Sequence, residues 1–457
     1  MARKSNLNTS LNDVKFHSVS IIPKNGKPIS IAALWNVINL HESIFRPVIT
    51  GNIQLNDTVN LRASFQFQGE ERLFLSFSKP TNNGTLKYTK TFLIVRIDGF
   101  RKNDKGSGSS YTLRFCSEEL WKSNKSLKIN RAFEGGSYSD YVRNICENEL
   151  QLNTDISIED AKRKYVQLEQ SYGPPKKHVI SNYTPFEAIE YFEGRAVNEI
   201  NSPFLFFENN QGFNFLSLSK MSDGISLVPG GLTVSSAKNS EDQSTFVPVR
   251  FNEIQNFNIQ AVNDFLKLQK NLKGTVGAFD ILRGSYNEFT TSSDNIDSGN
   301  LTNKDSVLPA SKVEQAAPRI AYCVYGRANM PYVSDSFATS RLNAGQNVSP
   351  YSLDVADYRE NDSGEERFLI QRRMLLNSLE FTMFDSCEVA GNPIFTAGVP
   401  VDINMPAFTP NDKLKRNVDP YMTGRYIITK VRHNLTKSTG LRTFIALGSN
   451  SPGVPLI

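Results

Sequence analysis

Residues 41–57 constrain the fold of this chain more than any other stretch. A strand leads into a bend at Pro47, and a second strand follows it. In this second strand Ile49, Ile53 and Leu55 alternate with polar residues, which predicts one buried face and one polar face. Two such tightly connected strands are typical of a curled antiparallel sheet, which suits a small β-barrel.

The size and composition describe an ordinary globular protein with several domains. At 457 residues the chain is long for a single core, and its length predicts about three domains. The 51 basic and 46 acidic side chains leave a net charge of +5. This charge is too small for a chain of this length to predict nucleic-acid binding. The 30 Phe and 16 Tyr favour half-buried strands over helical bundles.

The sequence contains no targeting or membrane-spanning pattern. Residues 1–8 are basic and polar, and no run approaches the roughly 18 apolar residues of a membrane span. We therefore expect synthesis in the cytoplasm. The cysteines form no C-x-x-C pair, which predicts reduced, mostly buried thiols and no disulfide or zinc framework. They are Cys116, Cys146, Cys323 and Cys387.

Local patterns predict a hairpin and two capped helices. Residues 92–97 and 111–115 flank the polar loop 102–110, which predicts a hairpin with a flexible tip. A helix is predicted from its N-cap, Ser137, to Leu150. A second helix is predicted where a capping box has proline at the first helical position. Its first residues are Thr184, Pro185, Phe186 and Glu187.

The second half of the chain returns to strands around a long polar stretch. A strand is predicted at 249–259, and helices are predicted at 262–272 and 365–379. Residues 286–366 are polar without clear periodicity, which predicts a set of binding loops or an insertion. The other predicted strands are 204–207, 213–218, 399–405, 426–431 and 443–447.

The predicted fold class is α+β and mainly β, with five segments along the chain. A first β-barrel domain covers 1–132, and a helix-containing middle domain covers 133–203. The first part of a second β-barrel domain covers 204–260, and a helix with the polar insertion covers 261–375. The remainder of the second barrel and the C-terminal tail cover 376–457.

The motifs of enzymes and metal sites are missing from the sequence. The four histidines have no metal-ligand spacing, and no nucleophile elbow or P-loop occurs. They are His17, His41, His178 and His433. His433 is interpreted as a contact at the end of a strand. Residues 294–299 resemble the start of a calcium loop. However, Ile296 and Asp305 occupy positions that need an oxygen ligand and a bidentate Glu, so an Asx-rich surface turn is predicted.

Acid–base and sugar-binding chemistry have little support. The adjacent carboxylates are Glu70 with Glu71 and Glu365 with Glu366. The two members of such a pair point to opposite faces of a strand, or are solvated on an exposed helix. A glycosidase needs two carboxylates a few ångströms apart across a cleft, and sequence alone does not show that distance. With Trp35 and Trp121 as the only tryptophans, the abundant Phe is better explained by core packing. No catalytic, cofactor-binding or metal-binding residue is predicted.

Four segments, in the same order along the chain, resemble the trimeric baseplate hub protein of contractile-tailed bacteriophages. The first contains Ile29–Ile31, Glu42–Ile44, Pro47, Thr50-Gly51 and Asp57. The second and third are Tyr183–Ile189, and Phe204–Asn209 with Gly212–Phe215. The fourth contains Gly391–Pro393, Ala397-Gly398 and Gly424–His433. Each motif is weak alone, but the ordered set is fairly specific.

The resemblance implies two tube-like antiparallel β-barrel domains joined by a mixed helix-containing domain. Three subunits would form a pseudo-sixfold ring that connects a sixfold tail tube to a threefold central spike. The implied partners are two further subunits, tail tube or tube-initiator proteins and the central spike protein, with baseplate wedge and tape measure proteins as further candidates. The resemblance implies a structural part of the virion tail baseplate, without enzymatic activity, a membrane span or sequence-specific nucleic-acid binding.

Two alternatives stay open at the level of sequence. One is the hub part of a related contractile injection or type VI secretion apparatus. The other is a tail-associated glycan hydrolase or receptor-binding protein, which would need clustered carboxylates beside exposed aromatic side chains. Under the hub hypothesis Asn52, Gln54 and Asn56 are candidates for the channel or ring face.

Overall fold

A computed structural model describes most of the chain. The described residues are 13–24, 26–61, 67–81, 84–102, 108–155, 164–172, 178–234, 253–254, 256–259, 273–280, 285–292, 296–305, 319–325, 371–379, 382–405, 419 and 422–451.

Strands make up most of these residues and are numbered β1 to β22 along the chain. The first twelve are β1 Lys15–Ile22, β2 Ile29–Ser30, β3 Trp35–Ser43, β4 Thr50–Asp57, β5 Arg72–Thr81, β6 Gly84–Lys102, β7 Ser109–Ser117, β8 Ile129–Phe133, β9 Val166–Leu168, β10 His178–Tyr183, β11 Phe204–Asn209 and β12 Gly212–Ser217. The others are β13 Leu232–Val234, β14 Glu253–Ile254, β15 Asn256–Ile259, β16 Lys273–Asp280, β17 Ser285–Ser292, β18 Arg319–Tyr325, β19 Thr382–Val389, β20 Pro400–Asn404, β21 Gly424–Thr436 and β22 Gly440–Ser449.

Helices connect the strands and are numbered α1 to α5. They are α1 Glu118–Lys125, α2 Tyr138–Asn148, α3 Pro185–Glu193, α4 Leu218–Ser222 and α5 at 371–379. A short 3₁₀ turn covers Ser298–Asn300. Every helix within the described ranges is too short or too polar to cross a bilayer.

One large sheet joins the two ends of the chain. Its strand order is β14-β13-β20-β21-β3-β4-β7-β6-β5-β1-β2, and β22, β19 and β15 branch from β21. The N-terminal and C-terminal strands meet where β3 pairs antiparallel with β21, from Ser43 opposite Lys430 to Val37 opposite Thr436. The fold is therefore α+β and mainly β, which confirms the predicted class.

Three apolar cores lie along this framework. The first core lies within β1–β7 and is completed by the β21–β22 hairpin, with Trp35, Phe115 and Leu435 buried in it. The middle core lies under α2 and α3, and the second core lies under the C-terminal strands. Each large apolar side chain buried here contributes about 1.5–3 kcal/mol relative to an exposed one.

Strand β11 is buried on both faces because it separates two cores. Phe204 and Phe206 pack into the middle core, while Leu205 and Phe207 pack into the second core. Strands β11, β12 and β9 form their own three-stranded sheet, in which β12 pairs with β9 in parallel. The phenylalanine-rich sequence of this segment follows from burial on both sides.

The predicted helix starts are confirmed. Both N-caps form a complete capping box, Ser137 with Asp140 and Thr184 with Glu187. In the second, the Glu187 backbone N–H donates to Thr184 Oγ1 over 3.4 Å, and the Thr184 N–H donates to Glu187 Oε2 over 2.7 Å. These bonds satisfy two of the donors that a helix start leaves unpaired.

Replacing Thr184 with alanine should lower the free energy of unfolding by about 1 kcal/mol, because the cap bond to Glu187 is lost. Thr184→Ser keeps the hydroxyl and should stay close to wild type. Chemical denaturation of both variants checks this prediction. Equal losses in the two variants would show that the cap bond does not stabilise the helix.

Several predicted features differ in the structure. The prediction of irregular structure over 286–366 is wrong for two segments, because β17 and β18 flank β16 in a separate sheet. These strands are held in the sheet by backbone hydrogen bonds to β16, which the side-chain pattern of the surrounding polar sequence does not reveal. Four strand pairs are parallel although antiparallel pairing was expected; they are β13–β14, β13–β20, β9–β12 and β16–β18.

Some predictions fall outside the described residues. These include the helix at 262–272, the carboxylates Glu365 and Glu366, and much of the polar stretch. The predicted strand at 249–259 is described only at 253–254 and 256–259, where it forms β14 and β15. The domain boundaries stay predictions.

Candidate interaction face

The side of the large sheet opposite the cores carries a continuous row of polar side chains. In β4, Ile53 and Leu55 are fully buried, whereas Gln54 and Asn56 are exposed. The same alternation continues in the neighbouring strands through their register. We call this surface the polar face; its side chains are Thr112, Arg114, Asn52, Gln54, Asn56, Asn39, His41, Arg432, Asn434, Arg442 and Phe444.

An amide ladder crosses the polar face at the junction of the two halves of the chain. Asn434 Nδ2 on β21 donates to Asn39 Oδ1 on β3 over 2.7 Å. Asn39 Nδ2 then donates to Asn52 Oδ1 on β4 over 3.0 Å. Cross-strand side-chain pairs of this kind each contribute roughly 0.2–1 kcal/mol and fix the register of the strands.

Replacing Asn39 with alanine should cost about 1 kcal/mol of unfolding free energy, because both ladder bonds are lost. Water can partly replace these bonds, since all three amides are half-buried. Gln54→Ala, on the same face but exposed, should change stability by less than about 0.5 kcal/mol. Thermal and denaturant unfolding of the pair measures the difference, and equal effects would contradict a stabilising ladder.

Positive charge flanks the ladder on both sides. Arg96 and Arg114 both pair with the carboxylate of Asp98. At the other end, the guanidinium groups of Arg432 and Arg442 lie 4.3 Å and 5.2 Å from the centroid of the Phe444 ring, and Arg442 pairs with Glu388 over 2.7 Å. The face therefore offers amide donors and acceptors with an excess of fixed cations, which suits binding to a polar surface rather than covalent chemistry.

A cluster of three buried carboxylates and two half-buried lysines lies where the three cores meet, and we call it the junction cluster. It consists of Glu42, Lys90, Glu119, Lys164 and Glu208. Lys164 Nζ lies 2.7 Å from Glu119 Oε2 and 2.7 Å from Glu208 Oε1. Glu42 and Lys90 lie on β3 and β6 of the first core. Glu119 lies on α1 beside the middle core, and Glu208 lies on β11 between the middle and second cores.

Glu208 is the centre of this cluster and is fully buried. Its Oε2 accepts from the Ile49 backbone N–H over 3.0 Å and from the Ser117 hydroxyl. Burial alone would raise the pKa of Glu208, but Lys164, Lys90 and these donors outweigh it and hold the pKa below its ordinary value. Glu208 therefore lies in the junction as a carboxylate.

Glu42 ties the cluster to the loop before β20. Its Oε2 accepts from Thr396 Oγ1 over 2.6 Å and from the Ala397 N–H over 3.1 Å. Burial raises the pKa of Glu42, although Lys90 and these hydrogen bonds oppose the shift. Lys90 Nζ donates to the Asn209 carbonyl over 3.1 Å.

Acid should weaken the junction through Glu208. Because its folded pKa is depressed, its contribution to stability is fully present above the unfolded pKa and is lost as pH falls through the folded pKa. Glu208→Gln should therefore lose less stability than wild type between pH 7 and pH ~3. Unfolding free energies across this window check the prediction, and parallel pH profiles would contradict it. The raised pKa of Glu42 acts in the opposite direction, and Glu208 is one of its causes, so the difference between the two profiles reports Glu208 together with its effect on Glu42.

The histidines act as packing and hydrogen-bonding groups. His17 Nε2 lies 2.7 Å from Ser78 Oγ, and His178 bonds the hydroxyls of Tyr191 and Tyr138 over 3.2 and 3.1 Å. Burial and the nearby Arg432 and Arg46 lower the pKa of His41.

The interpretation of His433 as a strand-end contact is wrong. Strand β21 continues to Thr436, because Asn434 and Leu435 still pair with β3. His433 is buried inside the strand with Nδ1 3.1 Å from Thr443 Oγ1, and burial lowers its pKa to about 4.

The other candidate residues have structural contacts. The Glu71 carboxylate accepts from the Gln68 and Gly69 N–H groups over 2.7 and 2.9 Å and closes a turn, while Glu70 pairs with Lys24 over 2.8 Å. Asp297 accepts from the Gly299 N–H over 2.8 Å, which confirms the Asx turn. Three cysteines are free and buried, as predicted; they are Cys116, Cys146 and Cys387.

The junction cluster was not predicted from the sequence. Within the described ranges, no three His, Cys, Asp or Glu side chains are grouped as a metal site would require. The available signal for the cluster was a Glu directly after four apolar strand residues, as at Glu208 after Phe204–Phe207. A buried charge needs a partner, and such a position predicts one.

Comparison with known proteins found similar chains only among solved structures. No family model and no curated protein matches the chain. A solved tail protein from Neisseria meningitidis MC58 matches with 11% identity and a TM-score of 0.46, over 96% of this chain and 99% of that one. The 43 kDa tail protein of prophage MuSo2 from Shewanella oneidensis matches with 9% identity and a TM-score of 0.48, over 95% and 98%.

The chain is similar to phage tail proteins, as its sequence predicts. A component of the type VI secretion system of E. coli, described as structurally similar to T4 bacteriophage tail proteins, also matches. It has 9% identity and a TM-score of 0.39, over 96% of this chain and 78% of that one. At these identities the likeness is one of chain arrangement alone.

Proposed function

We propose that this chain is the structural hub component of a phage tail baseplate. Three copies form a pseudo-sixfold ring that connects the sixfold tail tube to the threefold central spike. Each copy contributes two tube-like β-barrel units, built on the first and second cores. The protein acts in the virion by holding its neighbours together, without an enzymatic step.

The observation that carries this proposal is the β3–β21 pairing. Seven residue pairs join the N-terminal and C-terminal β units into one sheet. The amide ladder crosses this seam on one side, and the junction cluster fills the other side. We expect two units joined in this way to move as one body, which supports a role in transmitting force through a ring.

Symmetry explains why two units per chain are useful. A homotrimer has three identical subunit interfaces, and two similar units per subunit present six similar surfaces. Such a ring can stack on a sixfold tube while keeping threefold symmetry for the spike. In this proposal the polar face, including Asn52, Gln54 and Asn56, is directed toward the channel of the ring.

The proposed partners follow from this position. They are two further copies of the chain, tail tube or tube-initiator proteins, and the central spike protein. The polar stretch 286–366 is proposed to contact baseplate wedge proteins. Deleting residues 326–350, the part of this stretch that follows β18, should leave the trimer intact but impair baseplate assembly, and normal baseplates without it would contradict this part.

Mass measurement and electron microscopy of the purified full chain test the proposal. We expect a mass of three subunits, 3 × 51.2 kDa, and ring-shaped particles with six similar β units around a channel. A tube protein added to the sample should bind one face of the ring. A chain that stays monomeric at all concentrations and binds neither tube nor spike would overturn the proposal.

A further inference from the structure

An open groove of about 390 Å³ lies between the first β unit and α1. Pro23 and Leu93 line it from the sheet, Gln151 lines it from the segment after α2, and Trp121 of α1 contributes its ring. Volumes of this size are typical of pockets that hold a peptide side chain or a small ligand. The hub proposed above makes no use of this groove.

The groove has a cationic rim. Lys24, Arg72, Lys122 and Lys125 line it together with the carboxylates of Glu70 and Glu149, and Arg72 is paired with Glu118 beside the groove over 2.7 Å. Glu70 pairs with Lys24 over 2.8 Å, and Lys125 lies 3.9 Å from the same carboxylate. The Lys24 and Lys125 side chains are still more than half exposed, at 56% and 68%. Cations on such a rim attract an acidic partner and steer its approach.

Trp121 gives the groove an apolar anchor point. Its side chain is 39% exposed, whereas Trp35 is buried at 2%. Leu127, just beyond the end of α1, is 91% exposed. A half-exposed indole bordered by cations is typical of a binding hot spot, because it offers a large rigid surface for another aromatic or apolar side chain.

We propose that this groove binds the acidic segment 351–366 of a second copy of this chain. The segment carries six carboxylates against the single cation Arg359, together with Tyr351 and Tyr358. Its charge is opposite to that of the rim, and its tyrosines can stack on Trp121. The presence of a second copy rests on the proposed ring, whereas recognition of the segment depends only on the groove.

Trp121 fluorescence provides a direct test. A synthetic peptide of residues 351–366 contains no tryptophan, and Trp35 is shielded from solvent, so a change in emission reports on Trp121. The full chain with the six carboxylates of its own segment changed to amides serves as the receptor, which removes self-competition. We expect a saturable change in emission that weakens as salt is added, and that disappears in Trp121→Phe.

Charge reversal assigns the binding to the rim. Lys122→Glu combined with Lys125→Glu should weaken peptide binding about tenfold or more. The matched control is Lys87→Glu combined with Lys220→Glu, which makes the same change in net charge at exposed lysines elsewhere and should bind as the receptor does. Calorimetry repeats the titrations independently of fluorescence.

Three results would overturn the inference: no saturable binding, equal affinity in the two double variants, or equal binding of a peptide whose carboxylates are amides. Whether the ring forms is measured separately, by the mass of the particles and by electron microscopy. A monomeric chain that binds the peptide through the rim would contradict the ring and support the groove. A ring whose groove does not bind the peptide would support the ring and contradict the groove.

Discussion

Replacing Lys164 with methionine is expected to lower the free energy of unfolding by about 3–5 kcal/mol. The substitution removes the ammonium group that lies 2.7 Å from both Glu119 and Glu208. Glu208 is fully buried, so its carboxylate would lose its nearest counter-charge without gaining access to water. Breaking a buried pair by removing one partner costs far more than the net value of the pair, because an uncompensated charge stays behind.

The matched control is Lys304→Met. Lys304 Nζ lies 2.8 Å from Asp223, almost the same distance, but both side chains are about half exposed at 57% and 45%. An exposed pair of this kind is worth about 0–1 kcal/mol, so this variant should remain near wild type. Equal losses in the two variants would show that burial at the junction does not set the energy. Adding Glu208→Gln to Lys164→Met should recover part of the loss, because it removes the unpaired charge.

Features that depend on residues close in sequence could be predicted. The capping boxes of Ser137 and Thr184 close within three positions, so their residues alone specify the helix starts. The alternation of Ile53 and Leu55 with Gln54 likewise gave the correct faces of β4, since a strand has a period of two. The polar residues of each strand of the polar face could therefore be predicted separately from the sequence.

The seam between the two β units could not be predicted in the same way. Asn39 and Asn434 are 395 positions apart, and Glu42 and Thr396 are 354 apart. No local pattern distinguishes these partners from other polar residues on strands, because their pairing is decided by how β21 docks beside β3. The junction cluster, which is the strongest feature of the candidate site, depends entirely on such contacts. A role for the polar face in a channel stays a prediction.

Gly398→Ala is expected to cost about 2–5 kcal/mol, from two separate causes. Gly398 has a φ of +84°, and an added Cβ would lie 2.4 Å from Phe207 Cζ. The Phe207 ring is 1% exposed and packed in the second core, so it has no free space into which to move. The backbone is also held in place, because the Gly398 N–H donates to the Ile428 carbonyl over 2.8 Å.

Gly69→Ala separates these two causes. Gly69 has nearly the same φ, +88°, but nothing lies within 4 Å of an added Cβ. It should therefore show only the backbone cost of about 1–2 kcal/mol. The difference between the two variants in denaturant unfolding measures the clash with Phe207. Equal losses would mean that the second core can shift around position 398. Because the neighbouring Ala397 N–H donates to Glu42, such a shift would also reach the junction cluster.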